Sequence, residues 1–187
     1  MRILGCTEYI NEKMNIQPVT KERLAGLKHI YRYFPKNRKE LIDIIEKRRM
    51  EDPNCDLNDI DVSAITYMTG LFKNTSFNGN ISMWDVSNVT TMVSMFSNSA
   101  FNGDISNWNV SNVTDMTEMF YESDFNGDIS KWNVSNLIDM SFMFTDSAFD
   151  GNLSSWDVSN VDLHQNCFDG TALEKDQKKQ PKFNEII

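Results

Sequence analysis

FNGDISNWNVSNVTDMTEMFYESDF, residues Phe101–Phe125, is one turn of an internal repeat. Its Met119-Phe120 pair recurs as Leu71-Phe72, Met95-Phe96, Met143-Phe144 and Cys167-Phe168, a period of 24 residues without slip. All four tryptophans, Trp84, Trp108, Trp132 and Trp156, keep the same step. A fixed period of about 20–50 residues is the signature of stacked repeat architectures. One copy has too few apolar side chains to close a core alone, so neighbouring copies must bury each other.

The apolar letters change period inside the unit. Ile81-x-x-Trp84-x-Val86 contains the two-residue step of a short strand. Met92, Met95 and Phe96 step by three and four, as on one helical turn. Asn78-Gly79, Asn102-Gly103 and Asn126-Gly127, with Asp150-Gly151 in the last copy, predict tight return turns. Each unit therefore reads as a strand, a corner, a short helix and a loop. The expected fold is an α/β solenoid, a leucine-rich-repeat-like stack of about five coils over residues 53–173, its strands paired in a parallel sheet. Asn88, Asn112, Asn136 and Asn160 recur in one register, each preceded by a serine, and predict satisfaction of backbone groups from coil to coil.

Residues 1–52 predict a helical cap over the first coil. Thr20 starts a helix to about Tyr33, which Pro35 stops. Asn37 opens a second helix to about Met50, with Leu41, Ile44 and Ile45 as its apolar stripe. Lys47, Arg48 and Arg49 sit near its C-terminal end, where the helix dipole favours cations. They form a candidate basic patch for an acidic partner or nucleic acid. Residues 174–187 read as a polar tail, with Phe183, Ile186 and Ile187 available to fold back on the last coil.

Charge divides the chain. Residues 1–50 hold 12 Lys and Arg against 6 Asp and Glu, whereas residues 51–187 hold 6 against 21. An acidic array argues against nucleic acid there, because phosphate contacts need Lys and Arg. It suits another protein with a basic surface. No stretch approaches the ~20 apolar residues of a membrane helix. The three cysteines are odd in number, and Cys55 and Cys167 lie several coils apart, which suggests a reducing compartment. With no apolar leader after Met1, the expectation is a cytoplasmic monomer.

Chemistry finds few residues. His29 and His164 stand beside no Ser or Cys in a nucleophile spacing, and no Gly-rich phosphate loop or zinc spacing occurs. Asp104 with Asp128, and Asp115 with Asp139, are the nearest approach to calcium ligands. Their counterparts Asn80, Asn152, Thr91 and Leu163 break the pattern. The expectation is no enzyme, no metal and no cofactor. What remains is surface. If Trp-x-Val is a strand, its outward residues include Met83, Asp85, Asn107, Asn109, Lys131, Asn133 and Asp157, a polar candidate face for a partner. A second candidate is the helical edge with Glu118, Tyr121 and Phe142, where Phe142 replaces the polar Ser94 and Glu118.

The motif Phe-Asn-Gly-Asp-Ile-Ser-x-Trp-Asn-Val-Ser-Asn-Val-Thr-Asp-Met-x-x-Met-Phe resembles the repeat of the BspA-like leucine-rich-repeat surface proteins. The resemblance covers about residues 56–173 and implies adhesion or other protein binding. Two functions follow as expectations. The first is a non-enzymatic intracellular interaction or inhibitor module, of the kind phages or mobile elements encode, acting on a basic protein. The alternative is a bacterial cell-surface adhesin of the BspA-like type.

Overall fold

Residues 24 positions apart lie against one another in aromatic columns. In this computed structural model, which describes residues 31–184, Phe72, Phe96, Phe120, Phe144 and Phe168 stack at ring spacings of 5.6, 5.7, 5.6 and 6.0 Å. A second column, Phe77, Phe101, Phe125 and Phe149, repeats at 6.2–6.3 Å and interleaves with the first. The tryptophans stack beside them, Trp84 on Trp108 and Trp132 on Trp156. Their indole N–H groups donate to the carbonyls of Leu57, Ile81, Ile105 and Ile129, so each buried ring keeps its polar atom paired. Burial of each ring contributes about 2–3 kcal/mol. All of this belongs to one continuous core.

The units are not strand-plus-helix coils, and the α/β solenoid expectation is overturned. Among the described residues the repeat contains no α-helix and no continuous strand. Parallel pairing between units is confined to isolated bridges in one column, Tyr67, Thr91, Asp115, Asp139 and Leu163. The two-residue step of Ile81, Trp84 and Val86 comes from successive turns. The Trp84 amide donates to the Ile81 carbonyl and the Val89 amide to Val86, both three residues back. Around Met92–Phe96 the expected helical turn cannot continue, because Ser94 has φ 52° and Asn98 φ 49°. Met95 closes a turn on Met92, while the amides of Met92, Ser94, Phe96 and Asn98 donate to Asp115, Thr117, Met119 and Tyr121 of the next unit. Two left-handed positions thus recur per unit and replace the helix with a wall of turns.

The Asn-Gly pairs are not turns either. Among the described glycines, only Gly70 and Gly170 have positive φ. Gly79 is small because space is missing: a Cβ there would lie 2.3 Å from the Cys55 carbonyl and 2.6 Å from the Phe77 ring. The asparagines before the glycines form a ladder instead. The side-chain oxygens of Asn54, Asn78, Asn102 and Asn126 accept from the amides of Asn78, Asn102, Asn126 and Asp150.

The asparagine corner does what its register predicts. Asn88, Asn112, Asn136 and Asn160 donate to the carbonyls of Ser63, Ser87, Ser111 and Ser135 at 2.7–2.8 Å. The row continues into the tail, where Asn184 donates to Ser159 at 3.0 Å. The Lys179 carbonyl accepts from Leu153, and Phe183 stacks on His164 at 3.9 Å. The fold-back of Phe183 is therefore present; Ile186 and Ile187 lie outside the described residues.

Helix α1, Arg38–Glu51, is the second of the two expected helices. Asn37 caps it, accepting from the Glu40 amide, and Leu41 and Ile45 are buried, with Ile44 only partly so. The helix expected from Thr20 lies outside the described residues except at its end. There the chain is extended, since Tyr33 bridges Ile60.

Candidate protein-binding surface

The outward residues read as a strand face sit on turns. Met83 is 53 % exposed, and Asn107 and Lys131 are also exposed. Asp85, Asn109, Asn133 and Asp157 are exposed, but each accepts from the amide of the serine two residues on. This side-chain-to-backbone turn uses one oxygen, which Asp and Asn supply equally well, and explains their exchange along the column. The same turn recurs at Asn80, Asp104, Asp128 and Asn152, and at Asp115 and Asp139. The registers weighed for calcium are thus accounted for by backbone geometry. The Ser106, Ser130 and Ser159 hydroxyls and amides hold the carboxyls of Asp104, Asp128 and Asp157 below the usual range. Among the described residues, no three His, Cys, Asp or Glu side chains converge as a metal site.

The basic patch divides. Lys47 is exposed. Arg48 is paired with Asp59 at 2.9 Å, donates to the Asp56 carbonyl, and lies over the Tyr33 ring at 5.5 Å. Arg49 lies 5.7 Å over the buried Phe77 ring. Two of the three cations therefore fasten α1 to the first unit.

The third group, Glu118, Tyr121 and Phe142, comes together on the wall of turns. One left-handed column runs Gly70, Ser94, Glu118, Phe142 and Asn166, all with φ between 52° and 62°. The other runs Asn74, Asn98, Glu122, Asp146 and Gly170, with φ between 49° and 73°. Gly and Asn adopt this region readily; Phe does not. Phe142 is half-buried at φ 57°. In the preceding unit of the same wall, Tyr121 hydrogen-bonds Glu122 and feels the charges of Glu122, Asp146 and Glu118, which raise its hydroxyl above the ordinary value. Tyr121 thus sits among three carboxylates on the wall that also carries Phe142. Phe142→Asn is expected to relieve the backbone and raise stability by about 1 kcal/mol, or about 2–4 °C in melting temperature. Differential scanning calorimetry checks the direction; a lower melting temperature would show that the ring's packing outweighs the strain.

Glu118 also accepts from the Ser94 hydroxyl at 2.9 Å and pairs with Lys73 at 3.5 Å. This carboxylate–hydroxyl–ammonium set resembles a nucleophile arrangement only on paper. Ser94 is buried and its proton is committed to Glu118. Cys167 is likewise withdrawn from chemistry, its buried thiol pushed up to about 12. Cys55 and Cys167 are both free.

A shallow groove of about 600 Å³ is lined by Asn112, Thr114, Asn136, Ile138, Ser159, Asn160 and Asp162. Ile138, 46 % exposed, was missed by periodicity because its counterparts are Thr90 and Thr114. No helix among the described residues is long and apolar enough to cross a membrane.

Residues 42–147, and again residues 121–184, match the family described as Mycoplasma protein of unknown function, DUF285. No curated protein and no solved structure matches.

Proposed function

The chain belongs to the DUF285 family of Mycoplasma proteins, and for it we propose a non-enzymatic protein-binding role in which the wall of turns engages a basic partner. The observation that carries this reading is Phe142, an aromatic side chain held at φ 57° in the slot that Glu118 fills one unit earlier, on the wall where Tyr121 lies among the carboxylates of Glu122, Asp146 and Glu118. A residue kept in a costly conformation on the surface is better explained by contact than by packing. The chemistry suits arginine. Its guanidinium pairs with carboxylates and stacks on aromatic rings. The acidic balance of residues 51–187 would add long-range attraction.

Titration calorimetry with an arginine-rich peptide tests this reading. The whole chain should bind it and a glutamate-rich peptide should not. Combining Glu122→Gln, Asp146→Asn and Phe142→Asn should weaken binding by about tenfold or more, which is about 1.4 kcal/mol. Asp85→Asn with Asp157→Asn keeps the serine turns while removing two charges, and serves as the control on the other face. An equal loss from that pair would place the binding on Met83, Asp85, Asn107, Asn109, Lys131, Asn133 and Asp157 instead.

An intracellular interaction or inhibitor module is the form of this function we favour, and the free cysteines support it. The resemblance of the repeat to BspA-like surface proteins supports a second reading, a cell-surface adhesin. Protease shaving of intact cells separates them: loss of the protein from unbroken cells would establish the adhesin.

A further inference from the structure

The shallow groove crosses three successive units, and its two sides repeat with the 24-residue step. One side is Asn112, Asn136 and Asn160; the other is Thr114, Ile138 and Asp162. Val113, Leu137 and Val161 stand between them in sequence and are buried or partly buried. Each unit is tied to the one before it on both sides. The asparagine Nδ2 groups donate to the Ser87, Ser111 and Ser135 carbonyls at 2.7 Å. The amides of Thr114, Ile138 and Asp162 donate to the Thr90, Thr114 and Ile138 carbonyls at 2.9 Å.

Those bonds fix each asparagine amide plane and leave the rest of the group free. Among the described residues nothing donates to the Oδ1 atoms of Asn112, Asn136 or Asn160, and each Nδ2 keeps a second hydrogen. The groove therefore offers one acceptor–donor pair per unit, already oriented, which lowers the ordering cost of binding. Beside Asn136 the lining holds Ile138, 46 % exposed where the units before it carry Thr90 and Thr114. An isolated surface aliphatic needs no explanation. One set in a groove among oriented amides supplies an apolar contact for an occupant. Leu163, 54 % exposed, is tied next to it, its amide donating to the Ile138 carbonyl at 3.1 Å.

We propose that this groove binds a neutral, extended glycan, a β-1,4-linked hexose chain running along the stack with about one sugar per unit. Hydroxyl groups suit the asparagine row, because a hydroxyl both donates to an Oδ1 and accepts from an Nδ2–H. The C–H face of a sugar ring suits Ile138. The step decides against a peptide. Units joined by parallel bridges stand about 4.7–4.9 Å apart, whereas an extended peptide rises about 3.3–3.4 Å per residue and turns like groups to one side only at every second residue. Its N–H groups would fall out of register within three units; a hexose chain advances by about the unit spacing. A basic partner is disfavoured here, because Asp162 is the one charged residue in the lining. The groove shares no residue with Glu118, Tyr121 and Phe142, so this proposal stands apart from the basic-partner reading.

Titration calorimetry of the whole chain with cellohexaose and with chitohexaose is the test. At least one of them should bind with a dissociation constant of about millimolar or tighter. It should bind about tenfold or more tightly than its own disaccharide, because only the longer chain spans all three units. Ile138→Asp copies the residue that Asp162 supplies at the same slot, so the fold accepts it. It should weaken binding about tenfold or more, by removing the apolar contact and setting a charge against the sugar. Phe142→Asn should leave sugar binding unchanged. Absence of binding by both hexasaccharides, equal affinity for the disaccharide, or affinity untouched by Ile138→Asp would overturn the proposal. So would displacement of the sugar by the arginine-rich peptide, which would assign the groove to the basic partner.

Discussion

Trp108→Ala is expected to cost about 3–5 kcal/mol, the range for deleting a buried aromatic side chain. Trp108 sits in mid-column, 4 % exposed, with Trp84 stacked at 6.4 Å and Phe96 at 6.3 Å. Its indole also donates to the Ile81 carbonyl at 3.2 Å, and truncation leaves that buried acceptor without its partner. The neighbouring rings are pinned by their own columns, so they cannot close the cavity. Urea unfolding measures the loss. A change below about 1 kcal/mol, far under that range, would mean that the tryptophan column does not carry load in the core.

Gly79→Ala should be the next most damaging change, about 1–3 kcal/mol by overpacking. The added methyl would meet the Cys55 carbonyl at 2.3 Å and the Asn54 carbonyl at 2.8 Å. Both are backbone atoms, held by the Asn54–Asn78 ladder bond and the turn on Asp52. Gly103→Ala is the internal comparison. There the contacts under 3.0 Å are with the Phe101 ring alone, at 2.8 and 2.9 Å, and the nearest backbone atom is 3.4 Å away. It should cost less than Gly79→Ala in the same unfolding experiment. The reverse order would show that the aromatic column yields less readily than the backbone beneath it.

The period and the core letters were legible because they depend on which side chains must be buried, and burial is written in the spacing. Trp84, Trp108, Trp132 and Trp156 and both phenylalanine columns lie inside as the 24-residue frame requires. The asparagine corner was legible for a related reason: a polar residue repeated in register has to pair with something repeated. Backbone conformation was not legible along the chain. Met92, Met95 and Phe96 have helical spacing, yet Ser94 between them is left-handed. The signal lay across the repeat. Read down the columns, Gly70 and Asn166 bracket Ser94, Glu118 and Phe142, while Asn74 and Gly170 bracket Glu122 and Asp146. Gly and Asn recurring at one slot mark positive φ better than any single unit does.

The same reasoning applies to the candidate residues, whose placement the sequence shows unevenly. Glu118, Tyr121 and Phe142 were singled out on exposure and substitution pattern, and the structure brings them onto one wall with Glu122 and Asp146. Arg48 and Arg49 were read as part of a basic patch for an acidic partner or nucleic acid, because the helix pattern does not show that Asp59 and Phe77 lie beneath them. The tail's role was hidden by loss of the apolar frame, although Asn184 keeps the asparagine step past Asn160.

The proposed binding role depends on the wall of turns, and amide hydrogen exchange in dilute solution tests the ladder that builds it most directly. Glu118 and Asn166 occupy the same left-handed column, each at φ 54°. The Glu118 amide donates to Ser141 at 3.0 Å, whereas the Asn166 amide has no partner among the described residues. Glu118 should therefore exchange about two orders of magnitude more slowly than Asn166, after correction for intrinsic rates. Equal rates at the two positions would contradict the ladder and the wall built on it.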